Sequence, residues 1–445
     1  MNRDMTKGNP SKILFMFALP MLLGNILQQL YSIVDSMIVG NFVGAEALAA
    51  VGASYPITFV LITVANGAGI GCGVIISQYF GGKQIENMKT SIYTSLIFTI
   101  LFSSVIMICG LFFTEHILFL MNTPQDIFND SCDYLKIYFM GVVFLFIYNI
   151  VNSSFNGLGN SKTPLTFLIV SSIMNIILDL IFVVNFNMGI KGAAYATLIS
   201  QGIAALFSFI FLMKSLMKIQ SASKIKLFDF NILKNIGKIA LPSILQQSIV
   251  SVGNLFVQAL VNSYGAVVIA GYAAATKIDS ITILPMANMS NAVSTFSGQN
   301  IGADKPERIK KGYKAALFMI GIFCAFAAVI MFLFGHKLVG LFVDAKVSSG
   351  VIDIGIQYLR IVSIFYFFMG LMVITNGILR GCGDMKIFLA STLTNLSTRV
   401  LCAYGLAYVI GQRAIWWAVP LGWIFASTVS VMRYKNGKWK DRSVI

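Results

Sequence analysis

Charge is what this sequence has least of. Asp, Glu, Lys and Arg make up 11% of its 445 residues and hydrophobic residues 57%, with a mean hydropathy of +0.81, whereas soluble domains carry about 25% charged residues. An ordinary soluble domain is excluded. Histidine is nearly absent, with His116 and His336 isolated at the ends of apolar stretches, and the six cysteines show neither metal-ligand spacing nor a pairing framework. A metal centre and a disulfide scaffold are therefore not expected. Acids are scarce too, at 17 against 32 Lys and Arg. The resulting +15 does not mark a nucleic-acid reader, because the basic residues are scattered without interleaved aromatics. There is no HExxH and no Gly-rich phosphate loop, and the span acids in IVDSM and LDLIF do not supply the paired YD and GxGD settings of an intramembrane protease. Enzyme function is not expected, and no cofactor is required.

What is present is apolar length. A bilayer core needs roughly 20 apolar residues per helix, and twelve stretches qualify, from 13–39 through 236–262, 354–377 and 386–410 to 414–434. The first is too long for a signal peptide and lacks a small-residue cleavage site, so it is expected to stay in the mature chain. Sorting the loop charges places 24 Lys or Arg on the side of the N-terminus and four on the other. By the positive-inside rule both termini are cytoplasmic, and the stretch 114–131, with three acids and no base, is external. Cys132 is expected to be reachable from outside.

The chain also repeats itself. QYFGGKQIENMK (78–89) aligns with QNIGADKPERIK (299–310) at an offset of 221, and YLKI (134–137) with YLRI (358–361) and NGLGNSK (156–162) with RGCGDMK (380–386) at 224. Six spans have been duplicated, and an even number gives parallel repeats. The expected organisation is an all-α polytopic membrane protein of twelve transmembrane helices in two parallel six-helix repeats: an N-lobe at 1–213, a cytoplasmic linker at 214–235, a C-lobe at 236–434 and a tail at 435–445. The repeated loops read as tight turns between helices.

Polar residues inside the spans carry the functional signal. Asn25, Gln28, Ser32 and Asp35 share one face of the first helix, as Gln247, Ser251, Asn254 and Gln258 do in the seventh. In the fifth span Ser172, Asn175 and Asp179 fall on one face. Asp35, Asp179 and Thr197 each lie six residues from the outer end of their span, ~9 Å inside it at 1.5 Å per residue, with Asn175 one turn deeper. Three polar groups on three helices share one level. Proton or cation handling is the reading this favours; structural acids bonded to Asn or Thr, or paired with Lys277 or Arg399, are the alternative. The second half has no counterpart acid, since Asp35 aligns with Phe256 or Val257 and Asp179 with Ala403. Tyr31, Asp279 and Arg399 join the polar faces as candidate substrate contacts, and Tyr138, Phe144, Tyr148 and Tyr366 are aromatics able to stack on a drug.

The LP pairs at 19–20 and 241–242, the acid of the first span, QYFGG, GQNIGA, GNSKTP, RGCGDMK, NIILD and the GKWK tail, in this order, resemble the multidrug and toxin extrusion (MATE) transporters over nearly the whole chain. The resemblance implies two six-helix lobes around a cleft and export of small cationic, amphipathic compounds in exchange for H+ or Na+ at the cell membrane, by a monomer. It also implies an ion-coupling set of Asp35, Asn175, Asp179 and Thr197, the residues that the depth comparison selects, and Na+ would be the one metal ion they hold. Branches with an acid early in helix seven differ here, where Val250 stands. The competing function is a lipid-linked saccharide flippase, which would need several cavity cations; Arg399 is the one strong candidate.

Overall fold

The computed structural model describes residues 3–221, 223–342 and 349–445. They form thirteen α-helices and, among the described residues, no strand. In chain order these are α1 (Pro10–Ile38), α2 (Ala45–Gly81), α3 (Ile85–Leu120), α4 (Gln125–Gly157), α5 (Lys162–Asp179), α6 (Gly189–Met217), α7 (Phe230–Asn262), α8 (Ala266–Gly302), α9 (Pro306–Gly340), α10 (Ser349–Ile364), α11 (Tyr366–Cys382), α12 (Met385–Ile410) and α13 (Arg413–Lys435). The twelve expected spans are all helical, with the tenth broken into α10 and α11, bent by 54°. Neither Pro nor Gly marks that break; Phe365 sits there, its ring edge-on to Trp417 at 5.9 Å.

Ten helices are individually long and apolar enough to cross a membrane, and the bent pair makes an eleventh. The remaining one, α12, has the length but carries TLTNLSTR through its middle. Helices of up to 37 residues, as in α2, extend ~55 Å at 1.5 Å per residue, well beyond a hydrocarbon core of about 30 Å. The surplus absorbs most of the expected loops. α3 continues to Leu120 and α4 starts at Gln125, so most of the stretch expected to be external is helical and only residues 121–124 form a turn. Cys132, expected to be reachable, is 6% exposed in an apolar cluster with Leu61, Leu118, Leu135 and Phe139. Its position on α4 turns it inward.

The helices form two compact units. One holds the residues up to Asp4 and Leu19–Ile244; the other holds Met5–Ala18 and Leu245–Ile445. The boundaries fall inside α1 and α7, close to Pro20 and Pro242, where a helix has lost a backbone hydrogen bond. The segment joining α6 to α7 packs with the first unit.

Within the first unit α4 packs on α2, α3 and α6, and α5 on α6; within the second α11 packs on α8, α9 and α13, and α12 on α13. The duplicated sequence thus builds duplicated packing. The GxG repeat shows how. A Cβ on Gly157 would lie 2.8 Å from the Gly73 carbonyl oxygen of α2, and one on the equivalent Gly381 would lie 2.2 Å from the Ser294 carbonyl of α8. Small residues there let helix backbones touch. The second glycine of each motif, Gly159 at φ +78° and Gly383 at φ +89°, then reverses the chain in a left-handed turn that side chains disfavour.

The QYFGG and QNIGA loops do more than turn. In the first unit Lys89 Nζ donates to the Ile219 carbonyl at 2.6 Å and Ser221 Oγ to Glu86 at 3.0 Å. In the second, the Met5 amide donates to Gln299 Oε1 at 2.8 Å, and Arg308 Nε donates to the Met5 carbonyl at 3.1 Å. Each loop is a seat for the segment that leads into α7 or α1.

Candidate functional site

The strongest polar constellation lies within the first unit, on α1, α5 and α6. Asp179 ends α5 and is fully buried, and Asn175, one turn earlier on the same face, is 1% exposed. α5 packs on α6, which brings Asn175 Nδ2 to Thr197 Oγ1 at 3.4 Å. Asp35 on α1 is half-buried and near enough to Asp179 for the two carboxyls to interact electrostatically. The four residues selected by depth therefore converge on one place.

Their oxygens are largely unused. Asp35 Oδ1, Asn175 Oδ1, both carboxylate oxygens of Asp179 and, one turn deeper, Ser172 Oγ are buried without a hydrogen-bond partner. A buried acceptor left bare costs free energy, and two bare carboxylates side by side add Coulomb repulsion. Bare acceptors grouped in this way can receive positive charge. The donors are all oxygen, which suits a proton or a hard cation, and no set of three His, Cys, Asp or Glu among the described residues could hold a transition metal.

Protein cations do not fill this role. Lys191 pairs with Asp133 at 2.9 Å and Lys136 with Glu115 at 2.7 Å. Lys277 lies over the Phe342 ring at 5.8 Å, and Arg399 donates to Asn254 Oδ1 at 3.1 Å and to the Tyr272 hydroxyl at 3.4 Å. Each of these cations engages a partner within its own unit.

Two features of the site escape sequence reasoning. Both acid-bearing helices end in π-helical turns, Val39–Val43 after α1 and Leu180–Asn185 after α5; such turns are frequent at functional sites. Beyond the acids along each helix lies an apolar cluster including Ile38, Val39, Val183, Ile190 and Ala193. The second feature is Tyr134, close to Asp35, Tyr31 and Asp179 and stacked on Tyr138 with ring centroids 6.4 Å apart.

The second unit has its own cluster. Asp279 is buried and accepts from the Tyr358 hydroxyl at 3.1 Å. Tyr358 stands edge-on to Tyr272 and Trp416, which stack on each other at 5.7 Å. Through Tyr272 this box reaches Arg399 and hence Asn254. Tyr134 and Tyr358 are the aligned tyrosines of YLKI and YLRI, so each unit sets the same tyrosine beside its buried acid. The repeat contained that signal. Of the other candidate substrate contacts, Gln258 bonds Asn262 one turn on, Gln247 is half-buried, and Gln28 and Ser32 are exposed on α1 near the half-buried Tyr31.

The MatE family model matches residues 20–181 and 242–405, one block per repeat. The chain belongs to the MatE family. Its similarity to individual relatives is also full length: Bacillus subtilis YpnP, a probable multidrug resistance protein, is 32% identical over 98% of this chain and 97% of that protein. The multidrug export protein MepA of Staphylococcus saprophyticus is 27% identical over 85% of this chain and 83% of its own. Among solved structures, the outward-facing conformation of a multidrug resistance MATE family transporter matches with a TM-score of 0.89 at 26% identity, covering 99% of both chains. MatE proteins are membrane transporters, not enzymes, and the expected all-α twelve-helix repeat is that of the family.

Proposed function

We propose that this MatE transporter is a multidrug efflux antiporter that exports cationic, amphipathic compounds in exchange for H+ or Na+. The observation that carries the reading is the pair of neighbouring carboxyls, half-buried Asp35 and buried Asp179, with Asp35 Oδ1 and both Asp179 oxygens lacking a hydrogen-bond partner among the described residues. Asp35, Asn175, Asp179 and Thr197 bind the coupling ion. Loading the site removes negative charge from the first unit and alters how α1 packs near Pro20. An organic cation is then held less tightly. Alternating access needs this difference in affinity between states.

Gln28, Tyr31, Ser32, Gln247, Asn254, Gln258, Asp279 and Arg399 serve as substrate contacts, and the protein works as a monomer in the cell membrane with both termini in the cytoplasm. The flippase alternative is disfavoured, because Arg399 is already engaged by Asn254 and Tyr272. Proteoliposomes test the coupling ion. An imposed proton gradient in sodium-free buffer is expected to drive exchange of a fluorescent organic cation. Transport that requires a sodium gradient would reassign the ion to Na+ at the same oxygens, and transport indifferent to both gradients would reject antiport.

A further inference from the structure

We propose that the segment joining α6 to α7 is a binding surface for anionic lipid headgroups of the leaflet it borders. Between Met217 and Phe230 the chain leaves the helical ladder, yet it is held firmly on its inner side. Lys89 and Glu86 bind Ile219 and Ser221, Glu86 also accepts from the Ser223 amide at 3.3 Å, and the Asp229 amide donates to Thr94 Oγ1 at 3.0 Å. Pinned in this way, the segment turns a defined face outward.

That face combines two chemistries. Residues 214–238 contain six lysines and one acid; Lys214, Lys218, Lys224, Lys226, Lys234 and Lys238 are all exposed. The single acid offsets one of them, pairing with Lys226 at 3.4 Å. Asp229 accepts from the backbone N–H groups of Ile232 and Asn231 at 3.3 and 2.9 Å, and those bonds together with Lys226 hold its carboxyl below the usual range. Set among the lysines are Leu227, Phe228 and Phe230, which are 67%, 43% and 71% exposed. Apolar side chains between two membrane helices and at the start of the second, beside exposed lysines of which Lys226 alone is ion-paired, to Asp229 at 3.4 Å, fit an interface where rings enter the acyl boundary and ammonium groups meet phosphates. A soluble polyanion would use the lysines but leave the apolar residues in water.

The test uses purified full-length protein carrying Phe228→Trp, with the parent protein's tryptophan signal subtracted, in mixed vesicles of phosphatidylglycerol and phosphatidylcholine. Bromine is placed on the acyl chains of one lipid or the other. Quenching of the added indole by brominated phosphatidylglycerol is expected to exceed that lipid's share of the bilayer, and to fall to its share at high salt. Replacing Lys224 and Lys226 by Gln is expected to weaken the apparent affinity for phosphatidylglycerol by roughly five-fold per lysine, the weight of one cation at an anionic surface, and so to bring the quenching toward that lipid's bulk share. The salt titration needs no variant at the lysines, so a folding defect in those proteins does not blunt the result. Quenching that follows the bulk lipid ratio at low salt overturns the proposal. So does an indole untouched by either lipid but shielded by heparin, which would move the surface to a soluble acidic partner. Neither readout depends on transport, so the outcome is independent of the coupling reading.

Discussion

At the scale of single residues, the coupling reading rests on oxygens that have nothing to bind. Asp35→Asn and Asp179→Asn keep shape and volume but remove the capacity to take up a proton or to neutralise Na+. Each is expected to lower drug exchange by at least about ten-fold, equivalent to about 1.4 kcal/mol or more, while the protein remains folded in the membrane. Near-normal exchange in both variants, measured on matched amounts of purified protein, would make the two acids structural. Thr197→Val is expected to be milder, since it removes one hydroxyl and a long 3.4 Å bond but no charge. These residues were legible before the structure because an intramembrane acid without a local cation is rare, and helix spacing fixes its depth. Tyr134 and Tyr358 were less so: the repeat aligns them, but tyrosine is common in membrane proteins and the fold is what sets these two beside acids.

At the scale of helices, what decides the packing is the absence of a side chain. The first glycine of each GxG motif looks like part of a turn, yet it is the point where two helix backbones touch. Adding one methyl to a filled contact costs about 1–3 kcal/mol. Gly381→Ala is expected to cost more than Gly157→Ala, because its Cβ would meet a backbone oxygen at 2.2 Å instead of 2.8 Å. Thermal unfolding in detergent checks the order; equal and negligible losses would mean that the helices separate freely there. Hydropathy located the helices and duplication paired them, but neither reveals a π-helical turn, which inserts no distinctive residue. The 54° break between α10 and α11 is hidden for a related reason. It occurs at Phe365, with none of the residues that usually bend a helix.

At the scale of the whole chain, orientation follows from where cations are excluded. Moving a lysine across a bilayer is costly, so loops rich in lysine stay on the side of synthesis; with 24 basic residues against four the bias is strong. The six exposed lysines between 214 and 238 and the α3–α4 turn, with Asp126 just beyond it, should then lie on opposite sides. Native Cys132 is an unsuitable probe of this, because its thiol is packed against Leu135 and Phe139. Asp126 is exposed in the first turn of α4 and Lys224 is exposed in the α6–α7 segment, so cysteines introduced there report directly. With the native cysteines replaced, Asp126→Cys is expected to react with an impermeant thiol reagent in intact cells. Lys224→Cys is expected to react only after permeabilisation, and the reverse pattern would invert the membrane orientation, placing the outer-end side of the Asp35–Asp179 pocket toward the cytoplasm.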